Sequence, residues 1–149
     1  MQKEPTDPET LDLSNSPEKR ISGDTFCKFF DHHEEFDDFT IIDCRTQREY
    51  DGGHIKGAIR CHPYEIENNI ANLYNQIWKP RSLYIFHCEY SAFRGPTAYY
   101  DFAEAHSQSA NRDEPLHIFV LDGGYRQFYA DHPDYCEGGY VPEMSMLFR

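Results

Sequence analysis

Cys88 and Arg94 stand at the two ends of a seven-residue stretch, CEYSAFR, that follows the apolar run LYIFH and precedes Gly95-Pro96. An ionised thiol is a nucleophile, and a guanidinium is a planar fork that grips two oxygens of a tetrahedral oxyanion at once. If the apolar run is a strand and Pro96 sits in the first turn of a helix, then Glu89, Tyr90, Ser91, Ala92 and Phe93 form a loop at the carboxyl end of that strand. In α/β sheets this is where ligands bind. A loop of this size wrapped into a cradle turns successive backbone N–H groups inward, and the helix N-terminus adds its positive end. The predicted chemistry is phosphoryl transfer, with Cys88 beneath the phosphorus as nucleophile and Arg94 and the loop amides on the equatorial oxygens. A free thiol of pKa near 8.5 is only about 3% ionised at pH 7, so complete ionisation gains about thirtyfold, or about 2 kcal/mol. Most of the acceleration must therefore come from donors that stabilise the three equatorial oxygens during transfer. The competing reading is a buried structural cysteine with an arginine at a chance spacing. The strand before the loop and the Pro-started helix after it favour the phosphate cradle.

The elements that must position this loop can be read on either side of it. "FTIIDC", Phe39 to Cys44, is a short β-branched run that predicts a buried strand, and "GAIRC", Gly57 to Cys61, predicts a weaker one. "SLYIFHC" predicts a central strand, "GPTAYYDFAEAHS" a helix, and "LHIFVLDGG" a further strand ending in a tight Gly123-Gly124 turn near the active face. Helical spacing marks Phe26, Phe29 and Phe30 after a start signal at Ser22 to Asp24, and Ile70, Leu73, Tyr74 and Ile77 within residues 66–77. Tyr125, Phe128 and Tyr129 are read as core. Strands alternating with helices imply a three-layer α/β domain with a central, mainly parallel sheet and helices on both faces. Residues 1–20 are polar and acidic, unable to bury enough apolar surface to order themselves, and are expected to be a flexible tail before a catalytic domain over residues 21–149. Ser16-Pro17 lies in that tail, where such pairs are more often incidental than regulatory.

A single domain accounts for 149 residues, and a formal net charge of −12 argues against nucleic acid and anionic membranes, which need a basic face. An acidic chain that binds an anion must do so locally. No stretch has the apolar length to span a bilayer, and the polar, acidic start does not read as a secretory leader, which predicts an intracellular protein. The five cysteines, Cys27, Cys44, Cys61, Cys88 and Cys136, are scattered without a CxxC pair, as expected of reduced thiols. His32, His33, His62, His106, His117 and His132 lack metal-ligand spacing and are read as surface or core residues, so neither a metal nor a cofactor is expected.

"IIDCRTQREYDGGHIKGAI", Ile41 to Ile59, resembles the first half of the rhodanese-type fold. "FHCEYSAFRGP", "VLDGGYRQFYADHPDYC" and "YVPEM" resemble the M-phase inducer phosphatases, dual-specificity enzymes of that fold that activate cyclin-dependent kinases. The likeness runs from about Ile21 to Met144. It implies Cys88 as the nucleophile that forms a phosphocysteine, Arg94 as the phosphate clamp, and Glu89 as the family's acidic residue after the cysteine. It also implies Cys44 as a second thiol able to form a disulfide with Cys88 and shield it from overoxidation; the plainer reading of Cys44 is a small core residue. His87 is expected to anchor the loop, and Asp43, Arg45 and Glu49 to orient strand and loop. The implied substrate is a phosphothreonine-phosphotyrosine site on a phosphorylated cyclin-dependent kinase, met in the cytoplasm or nucleus by a monomeric enzyme.

The resemblance breaks at three places. Phe93 stands where many relatives have a glutamate, which leaves leaving-group protonation unassigned. The helix after the loop carries Tyr99, Tyr100, Asp101 and Glu104 instead of the arginines that help dock the kinase. The chain ends at Arg149, soon after "YVPEMS", and lacks a long N-terminal regulatory region, which suits a minimal or divergent enzyme or an excised piece. Two other readings stand beside the phosphatase: an arsenate reductase of the same fold, and a phosphoprotein-binding module with little or no turnover.

Overall fold

The structure, a computed structural model, describes residues 3–13 and 15–143. Its central sheet has five parallel strands in the order β1 (Arg20–Ile21), β6 (His117–Leu121), β5 (Ser82–His87), β2 (Asp38–Asp43) and β4 (Ile59–Arg60). The strand that leads into Cys88 thus lies in the middle, as the sequence predicts, its residues buried on both faces, although it ends at His87 and not at Cys88. Alternation sorts them. Leu83 and Ile85 join Ile41, Phe119 and Leu121 in one core layer, while Tyr84 and Phe86 join Ile42, Ile118 and Val120 in the other.

Helices α1 (Gly23–Asp31) and α5 (Gly124–Asp131) cover the first layer through Phe26, Tyr125 and Phe128. Helices α3 (Asn69–Ile77) and α4 (Arg94–Ser107) cover the second through Ile70, Tyr74, Ala98 and Phe102. Phe26 and Phe128 meet edge to face at 5.0 Å, as do Tyr74 and Phe102. The expected three-layer arrangement is the one observed. Ser22 caps α1, accepting a hydrogen bond from the Thr25 N–H at 3.1 Å.

Several local expectations are corrected. The strand expected over residues 39–44 ends at Asp43, and the one over 57–61 shrinks to Ile59–Arg60 because Gly57, at φ +82°, still belongs to a turn. The helix expected from Ile66 begins at Asn69, since Asn68 at φ +60° lies in the left-handed region. After Gly123 the chain forms a full helix, α5, where only a turn and core aromatics were read. Two further elements are the short helix α2 (Gln47–Gly52) and an antiparallel ribbon of β3 (Gly53–Ile55) with β7 (Cys136–Gly138), neither of which local periodicity marks. Residues 3–13 lie along the domain instead of hanging free. Pro5 and Pro8 are buried, and His117 Nδ1 and Nε2 lie 2.6 and 3.2 Å from the carboxylates of Asp7 and Glu4. Their order comes from the domain surface, which composition alone does not reveal. Part of the "YVPEM" stretch and the C-terminal end lie outside the described residues.

The β3–β7 ribbon depends on Gly53. At φ +152° it approaches the next strand so closely that a Cβ would lie 1.7 Å from the Gly139 carbonyl oxygen. Gly53→Ala is expected to destabilise the domain by at least about 2 kcal/mol in urea unfolding, because backbone cannot yield as a flexible side chain can.

Candidate active site

Cys88 emerges at the carboxyl end of β5 and is fully buried. The chain then loops through Glu89, Tyr90, Ser91, Ala92 and Phe93 before Arg94 begins α4. The N–H groups from Tyr90 to Arg94 meet no acceptor among the described residues, while the Cys88 N–H faces the Ser91 hydroxyl at 3.5 Å. Five consecutive donors left open at a helix N-terminus are an arrangement that can receive an oxyanion.

The Cys88, Glu89 and Ser91 carbonyls are engaged from outside the loop. The first amides of α5 do part of this, with the Tyr125 N–H donating to the Cys88 carbonyl at 2.9 Å and the Arg126 N–H to the Glu89 carbonyl at 3.0 Å. In a trans peptide, C=O and the following N–H point in opposite directions, so carbonyls drawn toward α5 turn the N–H groups of Glu89 and Tyr90 away from it. Gly124 makes the approach possible. It has φ +65°, and a Cβ there would lie 2.4 Å from the Glu89 carbonyl oxygen and 2.7 Å from that of Cys88.

Arg94 is wholly buried and held by Glu49, with Nη1–Oε1 at 2.5 Å and Nη2–Oε2 at 3.0 Å. Its Nη1 also lies 3.4 Å from Glu143 Oε2. The Nε–H finds no partner among the described residues, so the edge of the guanidinium next to Nε keeps a donor for a ligand. Glu49 is itself fixed by the capping box of α2: Oε1 accepts from the Thr46 N–H and hydroxyl, each at 3.0 Å. Burial alone would raise the Glu49 carboxyl, yet the hydrogen bonds from Arg94 and Thr46 hold it below the usual carboxylate range.

The neighbouring strand carries a second fixed pair. Burial would raise Asp43, but His87 and Arg45 keep it low, with Arg45 Nε and Nη2 donating to its two oxygens at 2.8 and 2.7 Å. The Arg45 guanidinium lies over the Tyr125 ring at 4.2 Å from its centre, joining β2 to α5. His87 is buried, with Nδ1 3.2 Å from the Cys88 carbonyl oxygen and Nε2 3.8 Å from Asp43; desolvation pushes its pKa down.

Cys44 follows β2 just past the register pair Asp43–His87, which sets it across from Cys88, and its N–H donates to the His87 carbonyl at 2.8 Å. Adjacent strands run about 4.8 Å apart, within the Cα separations that a disulfide spans. Both thiols are free here, and burial, with Cys88 nearby, pushes the Cys44 thiol well up. Glu89 is buried: Tyr140 Oη donates to its Oε2, and the Glu143 N–H donates to its Oε1 at 3.2 Å. It ties the chain after β7 to the loop. Tyr90 lies beneath Arg126, whose guanidinium is 5.5 Å from the ring centre, while Ala92 is exposed and Phe93 is 55% exposed. Among the described residues no group of three His, Cys, Asp or Glu side chains could hold a metal ion.

Sequence reasoning gave Glu49 only a general orienting role. Its capping signature, Thr46-x-x-Glu49 directly after a strand, was the signal available for α2, but nothing local says that the same carboxylate meets Arg94. Gly124 lies, as expected of the Gly123-Gly124 turn, near the active face, but its close contact with the loop carbonyls had no sequence signal, nor did the contact of Tyr140 with Glu89.

The rhodanese-like domain family matches residues 30–131. The chain belongs to that family. Among curated relatives, an M-phase inducer phosphatase of Dictyostelium discoideum is 38% identical over 117 residues, 74% of this chain and 11% of that protein. One of Emericella nidulans is 40% identical over 115 residues, 74% of this chain and 20% of that protein. The chain thus spans a fifth or less of the length of these relatives. An As–Sb reductase structure from Leishmania major superposes with a TM-score of 0.63 at 22% identity, over 85% of this chain and 89% of that one, and shares the rhodanese fold.

Removing Glu49 strands a buried guanidinium, so Glu49→Ala is expected to lose about 3–5 kcal/mol of stability near neutral pH. Because the folded carboxyl titrates below its ordinary value, its contribution is complete above the unfolded pKa of about 4.3 and fades as pH falls through the lower folded value. Urea unfolding of both proteins across that range should show the gap closing toward acid; a gap that widens there contradicts the pairing.

Proposed function

We propose that this rhodanese-like domain is a cysteine-dependent protein phosphatase in which Cys88 attacks phosphorus, forms a phosphocysteine, and is released by water. The observation that carries the reading is the run of open N–H donors from Tyr90 to Arg94, together with the buried Arg94 Nε, beside a thiol at the strand end. The phosphatase names of the relatives that are 38% and 40% identical support it. Attack forms a sulfur–phosphorus bond as the bond to the substrate oxygen breaks; water then displaces Cys88 and gives inorganic phosphate. The loop amides and Arg94 stabilise the equatorial oxygens in both steps.

The substrate we infer is a phosphothreonine-phosphotyrosine site on a cyclin-dependent kinase, with action in the cytoplasm or nucleus. No described helix is long and apolar enough to cross a membrane. Phe93 offers no proton to a departing oxygen, and the buried Glu89 carboxylate is engaged by Tyr140 and the Glu143 N–H. Rates should therefore follow the leaving group, falling steeply from an activated aryl phosphate to phosphotyrosine to phosphothreonine peptides. Cys44 serves as the redox partner of Cys88 in this reading.

Cys88→Ser is expected to abolish phosphate release while still binding tungstate, since serine keeps the cradle and loses the ionised nucleophile; unchanged turnover would sink the mechanism. Thiol-dependent turnover of arsenate, measured in parallel, distinguishes the reductase. The leaving-group order is read from kcat/KM for the three substrates, where a flat series would assign the acid to another residue. After mild peroxide, peptide mapping should recover a Cys44–Cys88 bond that thiols reverse, and pairing of Cys88 with Cys61 or Cys27 would remove Cys44 from the site.

A further inference from the structure

We infer that Arg20 is a positioning residue for the phosphate cradle, holding the Ser91 carbonyl outside the loop so that the Ala92 N–H stays turned toward the anion. The inference rests on the reading of the loop as an oxyanion site.

Arg20 belongs to β1, at the edge of the sheet and two strands away from β5. Its Nη2 nevertheless donates to the Ser91 carbonyl oxygen at 2.8 Å. Ser91 needs such support. It has φ +55°, in the left-handed region that a non-glycine residue with a Cβ rarely adopts, and its side chain is buried. The Ser91 carbonyl and the Ala92 N–H share one trans peptide plane and point in opposite directions, so a donor that fixes the oxygen fixes the N–H as well. α5 does the same for the Cys88 and Glu89 carbonyls, through the Tyr125 and Arg126 amides at 2.9 and 3.0 Å. Arg20 supplies the corresponding contact for the Ser91 carbonyl.

The guanidinium is held in place for this purpose. Nη1 donates to Asp122 Oδ1 at 3.0 Å, Nη2 to Glu18 Oε1 at 2.9 Å, and Nε to Ser16 Oγ at 3.1 Å. Glu18 also accepts from the Tyr100 hydroxyl of α4 at 3.0 Å. Two carboxylates therefore balance the charge of a side chain that is 12% exposed, which makes Arg20 a brace instead of a second phosphate ligand. Without it, the Ser91–Ala92 peptide is free to rotate, and a carbonyl oxygen turned into the cradle would repel the anion.

The test compares wild type with Arg20→Met, which keeps the aliphatic body, and Arg20→Lys, which keeps one donor. Tungstate affinity by calorimetry, kcat and KM for an aryl phosphate, and thermal melting are measured on each. Arg20→Met is expected to remain folded and to lose about tenfold in tungstate affinity and in kcat, the worth of one hydrogen bond to a charged group. Arg20→Lys should recover part of both. Tungstate affinity and kcat within twofold of wild type in folded Arg20→Met would overturn the inference, as would a loss of rate that only tracks loss of folded protein. If wild type binds tungstate but turns over no phosphate ester, the phosphatase reading fails and the tungstate series alone decides the role of Arg20.

Discussion

The buried pair of Glu49 and Arg94 is the interaction on which the site depends. A guanidinium excluded from water is tolerable only when its charge is matched, and Glu49 meets Nη1 and Nη2 at 2.5 and 3.0 Å, leaving the Nε–H open. The same carboxylate closes the capping box of α2, so one side chain fixes the start of that helix and the first residue of α4. This explains why a six-residue helix, too short to be stable alone, sits after β2. It presents a carboxylate to an arginine 45 positions later in the chain.

Around that pair, the parallel sheet determines what can converge. β2 and β5 are neighbours in register, so the residues after them, Cys44 and Cys88, face each other across adjacent strand ends. β6 lies on the other side of β5 and delivers the Gly123-Gly124 turn to the loop, where α5 begins with its amides against the Cys88 and Glu89 carbonyls. The loop is thereby shaped by contacts to its carbonyls, which leave its N–H groups available. A cradle built this way is set before an anion arrives, and donors that need no reorganisation are the most effective at stabilising developing charge.

The arrangement also reconciles a formal net charge of −12 with the anion binding proposed for the loop. The donors are local: open amides at a helix end and the Arg94 Nε–H, in a buried setting where interactions are screened less than at the surface. Glu18, Glu49 and Asp122 are next to the site but are each committed to an arginine, two to Arg20 and one to Arg94.

The sequence by itself determined the strand–loop–helix carrying Cys88 and Arg94, the three-layer α/β class, and the two-sided core, because these follow from short-range patterns: alternating burial, a cap at Ser22, and Pro96 in a first turn. It did not determine the reach of the N-terminal residues, the β3–β7 ribbon or the length of α5, where propensity is weak and order comes from surfaces supplied by distant residues. Glu49 could be read as a cap but not as the partner of Arg94, and Arg20 was one basic residue in an acidic stretch. Only the tertiary structure decided those roles, because a hydrogen bond between residues 45 or 71 positions apart is fixed by how strands are ordered in the sheet. That order is not encoded in the local periodicity from which each strand is recognised.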